Sequence, residues 1–128
     1  MIRTETVYIN GAQYTLNYGV EVMWAVEERF SNAAAAIQAA AKPGKEGFEA
    51  MRWLAVKMAN NGELLRRQQG YDKQPMLAEK DVQPTLAPGE FIPLLNAVVA
   101  CIQKGYEQEH DDPDQEYDLG LAEINEKK

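Results

Sequence analysis

Asn10-Gly11 separates two short runs of alternating residues, and it constrains the fold more than any other feature of the chain. Asn-Gly is the strongest two-residue signal for a type I′ turn, because both central positions need a positive φ. The flanking runs are Thr6-Val7-Tyr8-Ile9 and Ala12-Gln13-Tyr14-Thr15-Leu16. They place Val7, Ile9, Tyr14 and Leu16 on one face and polar groups on the other, so the start of the chain reads as a β-hairpin. No further strand pattern follows. Two strands are marginal in water by themselves, so the hairpin must pack on helices or pair with a partner.

Helical periodicity begins after Gly19, with Val20, Met23, Trp24 and Phe30 as the expected apolar stripe. Glu21, Glu27, Glu28 and Arg29 supply the polar face. Ser31 is the expected N-cap of a second short helix running to Ala41, which Pro43-Gly44 stops. A third helix is predicted over residues 45–60, with Phe48, Met51, Leu54, Ala55 and Met58 on its stripe. Asn60-Asn61-Gly62 is expected to break it before one or two further turns over residues 63–69. Residues 71–87, with Pro75 and Pro84, read as a loop crossing the surface. The last helix opens near Pro88 and runs to about Gln108. Its stripe is Phe91, Leu94, Leu95, Val98, Cys101, Ile102 and Tyr106, and Pro93 removes one hydrogen bond near its start. The sequence thus predicts an α+β fold: an N-terminal β-hairpin, a small bundle of about four helices, and an acidic flexible C-terminal tail. The expected boundaries are one α+β domain over residues 1–108 and the tail over 109–128.

Charge is concentrated at one end. Of 20 acids, nine lie in residues 107–128 against two lysines, so this stretch carries the whole net charge of −7. The neutral body has no basic excess to face phosphates, which argues against a nucleic-acid or anionic membrane partner. No apolar run approaches the roughly 18 residues of a transmembrane helix. The opening MIRTETVYIN lacks the apolar core of a secretory signal, so a cytoplasmic location is expected.

Catalysis lacks parts. The chain has one cysteine, one histidine and one serine. Ser31 falls where a helix cap is expected, His110 lies in the acidic tail, and Cys101 sits on an apolar stripe as a small core residue. Glycines form neither a dinucleotide fingerprint nor a P-loop, so no cofactor is expected. Glu27 and Glu28 read as a solvated helix face rather than an acid–base pair. Asp112, Asp114, Glu116, Asp118 and Glu123 have the spacing of a calcium loop. Tyr117 stands where that loop needs glycine, however, so no metal site is expected.

Three features point to protein contact instead. Trp53 lies off the stripe of its helix, as an interface hot spot or a residue covered on a second side. Arg66-Arg67, the only basic doublet of the body, either docks an acidic partner or caps its own helix. Tyr117, Leu119, Leu121 and Ile124 form an apolar cluster inside the acidic tail, the composition of a segment that orders on a partner or folds back on its domain. The unpaired hairpin edge could also accept a strand.

The stretch Val7-Tyr8-Ile9-Asn10-Gly11-Ala12-Gln13-Tyr14-Thr15-Leu16-Asn17-Tyr18-Gly19 resembles the opening of small phage tail assembly chaperones. These begin with strand, Asn-Gly turn, strand, an aromatic-Gly step and a helix. Here the helix is Val20-Glu21-Val22-Met23-Trp24-Ala25-Val26-Glu27-Glu28-Arg29-Phe30. Phe48-Glu49-Ala50-Met51-Arg52-Trp53-Leu54-Ala55 and Pro88-Gly89-Glu90-Phe91-Ile92-Pro93-Leu94-Leu95 are similar to later helices of the family, so the likeness spans residues 5–108. It implies a non-catalytic helper in the bacterial host cytoplasm that binds the long helical tape-measure protein and assists tail-tube assembly, with the tail-tube protein a second partner. In many members a frameshift lengthens the product, and Lys127-Lys128 is compatible with an adenine-rich slippery site. The family supplies no catalytic residues. The competing readings are an acidic regulatory or decoy protein that binds a basic partner, and a structural component of the virion tail.

Overall fold

A computed structural model describes residues 2–108 of the chain. Strands β1 (Thr4–Ile9) and β2 (Ala12–Asn17) form the hairpin, followed by helices α1 (Val20–Phe30), α2 (Ala33–Ala40), α3 (Lys45–Gln68) and α4 (Pro88–Tyr106). A single 3₁₀ turn at Glu79–Asp81 interrupts the long connection between α3 and α4.

The strands pair antiparallel with Val7 opposite Tyr14 and Ile9 opposite Ala12. Asn10 and Gly11 take φ values of 52° and 82°, as a type I′ turn requires. Val7, Ile9 and Leu16 are buried while Glu5, opposite Leu16, shares their inner face. Lys104 of α4 meets that carboxylate in an ion pair and donates to the Thr4 carbonyl at 3.2 Å. The pairing with Glu5 raises the lysine's pKa. β2 packs on α3 and β1 on α4, so the inner face of the sheet is covered by two helices.

The core joins Val7, Ile9 and Leu16 to Met51, Leu54, Ala55 and Met58 of α3 and to Leu94, Val98, Cys101 and Ile102 of α4. The last four follow i, i+4, i+7 and i+8, a single stripe. Burial pushes the Cys101 thiol up to about 11, with Glu5 adding to the shift. Tyr106 extends beyond the core, half exposed, with its ring against Tyr18 and the two hydroxyls 3.2 Å apart.

Three expectations are corrected. The buried stripe of α1 is Val22 and Val26, with Met23 and Phe30 partly covered, while Val20 and Trp24 are 58% and 60% exposed. Apolar residues surround this helix, and the i, i+4, i+8 line of Val22, Val26 and Phe30 is the straighter one. Ser31 does not cap α2. It ends α1 at φ 84°, and the Asn32 side chain accepts the Ala35 N–H at 2.8 Å instead. Finally, Asn60-Asn61-Gly62 does not break α3, which runs unbroken for 24 residues.

Tertiary contacts explain that continuity. Asn60 both donates to the Leu77 carbonyl and accepts the Leu77 N–H, at 3.1 and 2.8 Å. Asn61 donates to Asn17 at the end of β2. Gly62 lies against the strand itself, where a Cβ would stand 1.8 Å from the Thr15 carbonyl oxygen. A Gly62→Ala substitution should therefore destabilise the fold by about 2 kcal/mol or more, through forced separation of α3 from β2. This overrides the roughly 1 kcal/mol that alanine gains over glycine inside a helix. Thermal melting checks it, and a variant that melts at or above the parent temperature would contradict this packing.

Candidate functional site

An open apolar groove of about 710 Å³ lies where the end of α2, the start of α3, the connection before α4 and the first turns of α4 converge. Phe48 and Phe91 stack at its base, with ring centroids 5.8 Å apart and planes 22° from parallel. Ile92, Leu95, Leu86 and Ala40 extend the apolar lining, and Ile92 is 54% exposed. Lys42 and Lys45 stand at the rim, and no acid lines the groove. Lys42 reaches Glu46 only at 4.0 Å, with both side chains largely exposed. Such a pair contributes little to stability, and Glu46 offsets one of the two lysine charges beside the groove.

One wall of the groove depends on how the 71–87 connection is held. This segment is the expected surface loop, anchored at a few points. Leu77 and Val82 are buried, and each side chain contributes on the order of 1.5–3 kcal/mol to offset the ordering of the backbone around it. Arg52 donates to the Val82 carbonyl at 3.3 Å while its guanidinium lies over Phe48, and Asn10 donates to Asp81 at 2.9 Å. These contacts hold the segment whose Pro84 and Leu86 line the groove together with Phe91.

The loop's first half is held by Glu63, 5% exposed, the one buried acid among the described residues. Its carboxylate accepts the Gln74 backbone N–H at 2.8 Å, Arg67 Nε at 2.8 Å and Arg66 Nη1 at 2.7 Å. Arg66 also donates to the Asp72 carbonyl and Arg67 to that of Gln74. The structure thus places the basic doublet in an internal network at the C-terminal end of α3, with Arg66 also over the Tyr71 ring. The sequence signal for this network was Glu63 itself, which precedes the arginines by three and four residues.

Trp53 lies elsewhere, half-buried beside α1. Its ring meets Phe30 edge-on at 5.6 Å, with the Arg29 guanidinium 5.0 Å and the Lys57 ammonium 5.5 Å from its centroid. Trp53 and the arginine pair are thirteen positions apart on α3, roughly 20 Å, so they form no common site. None of them lines the groove. Tyr117, Leu119, Leu121 and Ile124, with the expected tail, lie outside the described residues.

Among the described residues no three His, Cys, Asp or Glu side chains gather as a metal site. No described helix is long and apolar enough to cross a membrane. No protein-family model, curated protein or solved structure matches the chain.

The Gln74 N–H, followed by Arg67 and Arg66, holds the Glu63 carboxyl at about 2, below its ordinary 4.5. A depressed carboxyl adds stability that is complete above about pH 4.5 and drains away as pH falls toward 2. Glu63→Gln should lower the melting temperature near neutral pH and shrink the further loss across that acid window. Parallel melts of both proteins check this, and equal losses in acid would contradict the role given to Glu63.

Proposed function

We propose that this protein is a tail assembly chaperone of a phage or prophage. It acts without catalysis in the bacterial cytoplasm, binding the tape-measure protein and assisting tail-tube assembly, with the tail-tube protein as a second partner. The observation that carries the reading is the open groove built on Phe48 and Phe91, largely apolar and without acid, cysteine, serine or histidine among its lining residues. A surface of this kind holds an apolar segment and transforms nothing. The resemblance over residues 5–108 says which segment is meant. A tape-measure chain is a long helix with an apolar stripe, at risk of self-association until the tube encloses it. An acidic cofactor coats such a stripe and adds repulsion between coated chains.

The net charge of −7 in residues 107–128 favours a second reading, in which the tail occupies a basic site on another protein. Salt separates the two, because a charge-driven complex weakens steeply with ionic strength and an apolar one does not.

The test is co-expression with the large helical protein encoded just downstream, followed by affinity capture. Under the chaperone reading that protein is soluble only in company, co-elutes in high salt, and the chaperone is absent from purified particles. A failure to bind would overturn the reading. Retention in particles would make the protein a structural tail component instead.

A further inference from the structure

The groove differs from an ordinary surface cleft in what its backbone withholds. Pro43, Pro84 and Pro88 have no N–H to give. The N–H groups of Ala41, Lys42 and Leu86 are already bonded to Ile37, Ala39 and Gln83. The other lining residues, Gly44 and Lys45 aside, lie inside helices whose N–H groups are committed to the preceding turn. An extended peptide laid here would find few backbone N–H donors for its own carbonyls and would bury them against phenylalanine and isoleucine. A helix satisfies its own backbone and brings only side chains to the contact.

Charge narrows the occupant further. The chain carries 20 acids against 13 lysines and arginines, yet the groove lining holds two lysines and no acid. An acid beside an apolar stripe would meet Lys45, and Lys42 beside its weak partner Glu46, while a basic flank would meet a net like charge.

We propose that this groove is a docking site for an amphipathic helix whose apolar stripe seats on Phe91, Ile92 and Leu95 and whose acidic flank faces Lys42 and Lys45. The inference rests on the chaperone reading for the source of that helix, the tape-measure protein. It assigns the contact to this groove rather than to Trp53, the Arg66-Arg67 pair or the hairpin edge.

The full chain is titrated with a labelled helical peptide bearing a leucine stripe flanked by glutamates, and with its twin carrying lysines at the flanks. Ile92 and Lys45 are exposed, so Ile92→Glu and Lys45→Glu should fold as the parent does, which circular dichroism checks. Ile92→Glu is expected to weaken the glutamate peptide by about tenfold or more, as loss of a central apolar anchor does. Lys45→Glu should weaken it by about threefold and bind the lysine-flanked twin better than the parent does. Unchanged affinity in Ile92→Glu overturns the proposal. So does displacement of the probe by a synthetic peptide of residues 109–128, which would give the groove to the chain's own segment. Conversion of a dimer to a monomer by Ile92→Glu would give it to a second copy and likewise overturn the proposal. Capture of the downstream helical protein separates the two levels. If the parent and Ile92→Glu hold it equally, the groove assignment falls and the chaperone reading stands. If the parent fails to hold it, the chaperone reading falls, and the groove loses its assigned source whatever the peptide does.

Discussion

A helix can press its backbone onto a strand only where it carries no side chain, and α3 does so at Gly62, beside the Thr15 carbonyl. The rest of the architecture follows from that contact. A two-stranded hairpin cannot stand alone in water, so its inner face must be covered. The close approach at Gly62 brings Met58, Ala55 and Met51 of the same helix into the core that Leu16 enters from β2. α4 then closes the other side, with Lys104 neutralising the one acid on the hairpin's inner face. The same turns of α3 carry Asn60, Glu63, Arg66 and Arg67, which hold the connection leading to α4. One helix therefore seats the sheet and positions a wall of the groove.

The fold class was legible because its signals are local. Asn10-Gly11 with flanking alternation specifies a hairpin, and the i, i+4, i+7, i+8 line of Leu94, Val98, Cys101 and Ile102 specifies a helix. The misread stretch shows where local reasoning stops. Asn60, Asn61 and Gly62 are poor helix residues by propensity, and in isolation a break there is the better expectation. Each is retained because it has a distant partner: Leu77, Asn17 and Thr15 respectively. Those partners lie at separations that no pattern along the chain reveals. The face of α1 was ambiguous for another reason, since valine, methionine and tryptophan surround it and only packing chooses between faces.

The groove was harder to see than the fold. Its walls come from residues 40–48 and 84–95, stretches that are distant in sequence and that meet only when α3 and α4 pack. Phe48 and Phe91 were read as stripe residues of separate helices, correctly, but their stacking on each other is a tertiary fact. Ile92 was the available hint, an isoleucine one step off the stripe of its helix and half exposed in the fold. Trp53 drew attention as the conspicuous off-stripe aromatic, yet Phe30, Arg29 and Lys57 surround its ring. The Arg66-Arg67 doublet is similarly occupied by Glu63. The arginine doublet marked an internal network, Trp53 a half-buried ring beside exposed cations, and the groove is made of ordinary residue types.

The most direct measurement is hydrogen–deuterium exchange on the full chain, free and in complex with the co-expressed downstream helical protein. The account predicts a stable complex in which new protection gathers in residues 41–48 and 84–95, while the hairpin and the Trp53 region keep their exchange rates. Protection centred on the hairpin edge, on α1 or on the C-terminal end of α3, or no complex at all, would contradict it.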